Sequence, residues 1–144
     1  MKKVSDILAR KGTAIVSVSP TTTVLEALRM MAGHNIGSVA IMDGDSLVGI
    51  MTERDYSRKV ILKGKSSTDT PVADIMSTTF PKVHPSDSIE QCMQLMSDQN
   101  IRYLPVFEGD KMQGILSIND VVKETILSQA ETISNLKDYL HANL

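Results

Sequence analysis

Two short stretches of the chain carry the same chemistry-bearing pattern: Gly49-Ile50-Met51-Thr52-Glu53-Arg54-Asp55 and Gly114-Ile115-Leu116-Ser117-Ile118-Asn119-Asp120. Each runs from a glycine through two apolar residues to a hydroxyl, with an acid three residues later. A hydroxyl that opens a helix sits beside unpaired backbone N–H groups and the positive helix end, a setting suited to an anion such as a phosphate. The neighbouring carboxylate is acceptor-only when ionised, so Asp55 or Asp120 can take both hydrogens of a cis-diol. Phosphate beside diol is the chemistry of a nucleotide. The glycine allows close backbone approach and, with its apolar neighbours, leaves a slot for a base. The same residues also read as plain helix caps, a hydroxyl N-cap with a carboxylate near the positive helix end. Capping boxes favour Glu or Gln where both copies have Asp.

The elements that must hold these residues are themselves written twice. Sliding the chain by 65 residues lays Val18 to Asp55 on Val83 to Asp120 without a gap, and ten of 38 columns are identical, where composition alone predicts about two or three. Val24, Ala27, Leu28 and Met31 face Ile89, Cys92, Met93 and Met96, the i, i+3, i+4, i+7 stripe of an amphipathic helix in both copies. Thr23 with Glu26 and Ser88 with Gln91 fit capping boxes at the two helix starts. Asn35 and Asn100 mark the ends. Val39–Met42 and Leu47–Met51, like Leu104–Phe107 and Met112–Leu116, then read as hairpins about Asp43-Gly44-Asp45 and Glu108-Gly109-Asp110. A strand is expected before each helix, at Ile15–Val18 and Lys82–Val83, and a second helix from Thr52 or Ser117. Val4-Ser5-Asp6-Ile7 matches Val72-Ala73-Asp74-Ile75 upstream, with Thr70-Pro71 as N-cap and N1 of a short leading helix. The divisions are repeat one at 1–62, a linker at 63–70, repeat two at 71–122 and a helical tail at 123–144. In the tail, Val122, Ile126, Gln129, Ile133, Leu136 and Leu140 form a heptad-like seam suited to packing on the domain or on a second copy.

Composition narrows the partners. The chain has 144 residues, 15 basic against 17 acidic side chains and 3% aromatics. That is no broad cationic or stacking surface for nucleic acid. No apolar run exceeds four residues, so neither a membrane span nor a secretion signal is expected, and the cytoplasm is the default compartment. Cys92 is the single cysteine, which excludes an internal disulfide or a cysteine-rich metal site; it reads as a small core hydrophobe. His34, His84 and His141 have no sequence neighbours that suggest a triad or metal pair, and no Walker, GxGxxG or HExxH motif is present. An enzyme is not expected.

Through its hairpins, its helices and the doubled Gly-x-x-Ser/Thr-x-x-Asp, the chain resembles the paired CBS-domain module, named for cystathionine beta-synthase, over about residues 4 to 122. Glu53 to Gly64 is also similar to the matching stretch of small members that consist of one CBS pair. The resemblance implies an α+β (mixed α/β) fold of two βαββα repeats in pseudo-twofold arrangement with a C-terminal helix. It further implies clefts between the repeats that take AMP, ADP, ATP, NAD or S-adenosylmethionine, and a homodimer.

Carried over by position, the resemblance assigns the first cleft Thr52 for the sugar-phosphate and Asp55 for the ribose. Ala14, Val16, Ile36 and Ser38 would lie against the base, with Arg102 and Tyr103 of the opposite repeat at the phosphate. A guanidinium suits that task, and Arg54 and Arg58 could add charge or remain solvated helix arginines. The second cleft would use Thr79, Pro81, Ile101, Tyr103, Ser117 and Asp120. There the opposite repeat offers Gly37 and Ser38 and no cation, so the first cleft is expected to hold the more charged ligand. Function then reads as a regulatory adenine-nucleotide sensor of energy or redox state, acting on a protein partner. The alternative is a ligand-free homodimerisation or docking module whose aspartates serve only as caps.

Overall fold

The computed structural model describes residues 2–142. Met1 and the last two tail residues, Asn143 and Leu144, lie outside the described residues. The chain divides into two compact units, Ala14–Phe80 and Met1–Thr13 with Pro81–Leu144, and the class is α+β. In the first of these, β1 (Ser17–Val18) is followed by α2 (Val24–His34), β2 (Ser38–Asp43), β3 (Ser46–Thr52) and α3 (Glu53–Tyr56), which runs on as a π-helical turn over Ser57–Ile61. The second contains α1 (Val4–Lys11), α4 (Ile89–Gln99), β4 (Tyr103–Glu108), β5 (Lys111–Ser117) and the long α5 (Ile118–Ala142).

Each unit repeats one local logic. α2 starts at Thr23, whose hydroxyl accepts from the Glu26 amide, and ends at Asn35 in the left-handed conformation at φ 53°. α4 starts at Ser88 with a reciprocal capping box to Gln91 and ends at Asn100 at φ 51°. Asparagine tolerates that conformation better than most residues. The box expected at Thr23 is only half formed, because the Glu26 carboxylate pairs with Arg29 at 3.1 Å instead. The buried stripes are Val24, Ala27 and Met31 in α2 and Ile89, Cys92 and Met96 in α4. Met93, expected on the buried face, is 40% exposed.

The hairpins β2–β3 and β4–β5 turn at Gly44 and Gly109, both at positive φ, and both carry an irregularity two residue pairs before the turn, at Ile41/Met42 and Val106/Phe107. β1 adds in parallel to β2, while the expected strand at Lys82–Val83 is reduced to one parallel bridge from Val83 to Val106. The predicted helix at Thr70-Pro71 is a single 3-10 turn over Val72–Asp74 with Pro71 as its cap residue.

The leading segments pack where the repeat register alone would not put them. Val72 and Ile75 are buried in the core of Val24, Ala27, Met31, Val39, Ile41, Met51 and Val60. Val4, Ile7 and Leu8 are buried in the core of Val83, Ile89, Cys92, Met96, Leu104, Val106, Leu116 and Val121. Each core is thus completed by the segment that leads into the other repeat. Fully burying one such side chain stabilises by roughly 1.5–3 kcal/mol, so these anchors contribute a substantial part of each unit's stability.

The doubled glycines belong to the same exchange. A Cβ at Gly49 would overlap the Met76 side chain, with Cγ at 2.7 Å, and one at Gly114 would meet Leu8 Cδ2 at 3.0 Å. The space read in the sequence as a slot for a base is therefore occupied at both glycines by a side chain of the leading segment.

Candidate functional site

The hydroxyl and acid pairs sit where hairpin passes into helix in both units. Thr52 closes β3 and caps α3: its amide donates to Asp55 Oδ2 at 2.9 Å, and its hydroxyl accepts from the Asp55 amide at 3.1 Å. Ser117 closes β5 in the same way, its amide donating to Asp120 Oδ2 at 2.8 Å and its hydroxyl accepting from the Asp120 amide at 3.2 Å. Both aspartates therefore complete true capping boxes, a task for which the sequence pattern favours longer acids. The first helical amides are taken as well, Glu53 N by Gly37 O at 3.2 Å and Ile118 N by Arg102 O at 2.8 Å. The row of bare amides expected to hold an anion is thus largely used by the protein.

A cation takes that role in both units. Lys59 Nζ lies 2.9 Å from Asp55 Oδ1 and also donates to the Ile75 carbonyl at 3.0 Å. Lys11 Nζ lies 2.7 Å from Asp120 Oδ2 and donates to the Ile115 carbonyl at 2.9 Å. Both lysine side chains are partly exposed, at 44% and 37% respectively. Neither lysine figured among the sequence candidates. Asp55 and Lys59 stand at i, i+4, a spacing that flags an ion pair on a helix. Lys11 is 109 residues from Asp120, and no local pattern announces it. The second motif, expected to be without a cation, has one.

The two carboxylates differ in what they have left to offer. Asp55 Oδ2 also accepts from the Thr52 hydroxyl at 3.1 Å, and Oδ1 takes the Ser77 hydroxyl at 3.4 Å besides Lys59. With roughly four lone-pair sites on a carboxylate, Asp55 is close to saturated, and its side chain is 10% exposed. At Asp120 the Ser117 amide and Lys11 both fall on Oδ2, and the side chain is 22% exposed.

The other candidates fall unit by unit. With Thr52 and Asp55, the structure brings together Ser38, buried and paired across the hairpin with Thr52, the half-buried Ile36 and Gly37, and Val16, whose carbonyl accepts from Ala40 at 3.3 Å. Ala14, Arg54, Arg58 and Thr79 belong to the same unit and lie at least partly exposed. With Ser117 and Asp120 stands Tyr103, its cross-strand partner, preceded by half-buried Ile101 and exposed Arg102; Pro81 is half-buried in that unit. Among the described residues no group of three or more His, Cys, Asp and Glu could hold a metal ion. No described helix is long and apolar enough to cross a membrane.

Comparison with known proteins matches this doubled architecture. The family described as CBS domain matches twice, over residues 4–61 and 72–126. The CBS domain-containing protein YhcV of Bacillus subtilis is 31% identical over 100% of this chain and 99% of its own length. A solved CBS-domain protein of Burkholderia ambifaria is 42% identical, with a TM-score of 0.86 over 89% of this chain and 96% of that one. The CBS domain pair of protein MJ0100, solved with 5'-methylthioadenosine and S-adenosyl-L-methionine, shares the fold at 24% identity, with a TM-score of 0.76 over 87% of this chain and 96% of that one. Two family matches, one over each copy of the internal repeat, make this chain a member of the CBS-domain family, carrying a pair of CBS domains.

Proposed function

We propose that the protein is a regulatory module that binds an adenosine-type ligand, AMP, ADP, ATP, NAD or S-adenosylmethionine, and is not an enzyme. The observation that carries this reading is the corner at the start of α5. There the Asp120 carboxylate accepts from the Ser117 amide and from the Lys11 ammonium, and the Ser117 hydroxyl accepts from the Asp120 amide, a set suited to a ribose and a phosphate. The Ser117 amide and Lys11 both fall on Asp120 Oδ2, and we assign Oδ1 as the acceptor for a ribose hydroxyl. Lys11 adds a point charge for a phosphate. The ligands held by the pair of MJ0100 support the class, since both contain an adenosine portion. At the equivalent corner, a ligand on Asp55 must displace Lys59 or Ser77. The reading therefore reverses the ranking from arginine count and puts the Asp120 corner first.

Binding signals only when the ligand discriminates between two arrangements of the protein. We place that discrimination in a homodimer or in contact with a regulated partner, in the cytoplasm, where the buried thiol of Cys92 stays reduced. A second reading has its own observation: the near-saturated Asp55 is what a purely structural cap looks like, which favours a ligand-free dimerisation or docking module. Calorimetric titration with AMP, ADP, ATP, NAD and S-adenosylmethionine separates the two. Saturable binding of one or more of them, lost in Asp120→Ala, supports the sensor. No heat from any of them at millimolar concentration supports the docking module.

A further inference from the structure

The long helix α5 has two faces with different destinations. Its first four turns are tied to their own unit: Val121 and Glu124 are buried, Arg10 Nη2 meets Glu124 Oε1 at 3.1 Å, and Lys2 meets Glu131 Oε2 at 3.3 Å. After Ser128 every described residue of the helix is exposed. Those residues, 129–142, extend about 21 Å at the helical rise. A helix of that length is marginal in water without a partner.

Most of the exposed apolar residues on it follow a seven-residue period. With Ile126, Ile133 and Leu140 at position a and Val122, Gln129 and Leu136 at position d, Glu124, Glu131 and Asp138 fall at f. The own-unit contacts of Glu124 and Glu131 therefore lie on the side of the helix opposite the seam. Val122, Ile126, Ile133, Leu136 and Leu140 are accordingly all exposed. A period of 3.5, shorter than the 3.6 of a straight helix, keeps a stripe facing another helix that winds around it.

We propose that α5 forms a parallel, in-register two-stranded coiled coil with α5 of a second copy of this chain. Three features choose that occupant. Ile133 at a with Leu136 at d is the pairing of isoleucine and leucine that favours two strands. The positions flanking the seam are Lys123, Ala130 and Lys137 at e and Thr125, Thr132 and Tyr139 at g. Parallel pairing sets Thr125 beside Ala130 and Thr132 beside Lys137, with no like charges opposed. Antiparallel pairing over the same seam brings Lys123 of one helix beside Lys137 of the other. Gln129, the one polar seam residue, faces its own copy only in the parallel register, where each amide can both donate and accept. Antiparallel, it faces Ile133 and is left unsatisfied. The proposal stands independently of nucleotide binding.

Disulfide trapping in the full chain tests it. Cys92 is 0% exposed, so the wild type supplies a silent background. In the parallel register, position 136 of one helix faces its own copy, within the roughly 4.4–6.8 Å Cα separation that a disulfide spans. Under mild oxidation Leu136→Cys should become mostly a disulfide-linked dimer on a non-reducing denaturing gel. Asp138→Cys, on the outer face, should remain largely monomeric. Adding Ile133→Asp to Leu136→Cys should abolish the linkage. Equal cross-linking at 136 and 138, no cross-linking at 136, or linkage that survives Ile133→Asp would each overturn the proposal.

Discussion

Lys11 Nζ and Asp120 Oδ2 lie 2.7 Å apart, joining the last residue of α1 to the first turn of α5. The contact joins a basic group at a helix C-terminal end to an acid at a helix N-terminal end, and each charge complements its own helix dipole. Both side chains are partly exposed, so the ion pair itself contributes little to stability.

Lys11→Met is therefore expected to cost no more than about 1 kcal/mol in urea unfolding. The same change should weaken binding of AMP or ATP while leaving adenosine nearly unaffected, because only the phosphate engages the ammonium. Calorimetric affinities for the three ligands check this. Equal losses for adenosine and ATP would remove Lys11 from the phosphate.

Gly49 and Gly114 should behave as packing residues. An added methyl at Gly49 meets Met76 along much of its side chain, whereas at Gly114 it touches one methyl of Leu8. Overpacking of this kind costs roughly 1–3 kcal/mol. Gly49→Ala should sit at the upper end and Gly114→Ala at or below the lower one, read as shifts in urea midpoint. Met76→Ala should recover part of the loss in the Gly49→Ala background and not in the Gly114→Ala background.

Arg10 and Glu124 form the pair in which charge removal should be most costly. Glu124 is 2% exposed and Arg10 is 45% exposed. Arg10→Met leaves a carboxylate in the unit core without its charged partner, at a cost of roughly 1–3 kcal/mol. Adding Glu124→Gln should restore part of that loss, because the neutral amide is cheaper to bury. A double variant no more stable than Arg10→Met would contradict the assignment.

Cys92 predicts a signature at high pH. Burial, assisted by the Asp87 carboxylate, pushes its thiol from 9.0 up to about 11. Above pH 9 the unfolded chain loses this proton while the folded chain keeps it, so the folded state binds more protons and stability falls as pH rises. The thiol's contribution is fully present below pH 9 and is lost towards pH 11. A difference of that size between the folded and unfolded thiol corresponds to a loss of about 2–3 kcal/mol. Wild type should therefore destabilise more steeply than Cys92→Ala between pH 8.5 and 11, measured by urea unfolding. Parallel pH profiles would contradict it.

What could be read in advance follows from range along the chain. The stripe Val24, Ala27, Met31 and its copy Ile89, Cys92, Met96 are local periodicities, and Asn35 and Asn100 are local stop signals. Turn glycines 44 and 109 likewise announce their hairpins. The exchange of leading segments is non-local: nothing in the spacing of Val4 or Val72 says which core it enters. That exchange changes the meaning of Gly49 and Gly114, which make room for Met76 and Leu8. It also brings Lys11 to Asp120 across most of the chain, so the cation of the second motif was not legible. Asp55 and Asp120 occupy equivalent positions in sequence. They differ in structure because Ser77 and Lys59 cover the first, and their placement depends on packing.

The most direct test is thermal unfolding of wild type, Asp55→Ala and Asp120→Ala with and without millimolar AMP, ATP, NAD and S-adenosylmethionine. A ligand that binds only the folded chain must raise its melting temperature. Wild type should show that rise with at least one of the four. Asp55→Ala should melt lower without ligand, through loss of its cap and Lys59 contacts, and Asp120→Ala should lose the ligand-dependent rise. A rise of the same size in wild type and Asp120→Ala, or none with any of the four, would contradict an adenosine site at the start of α5.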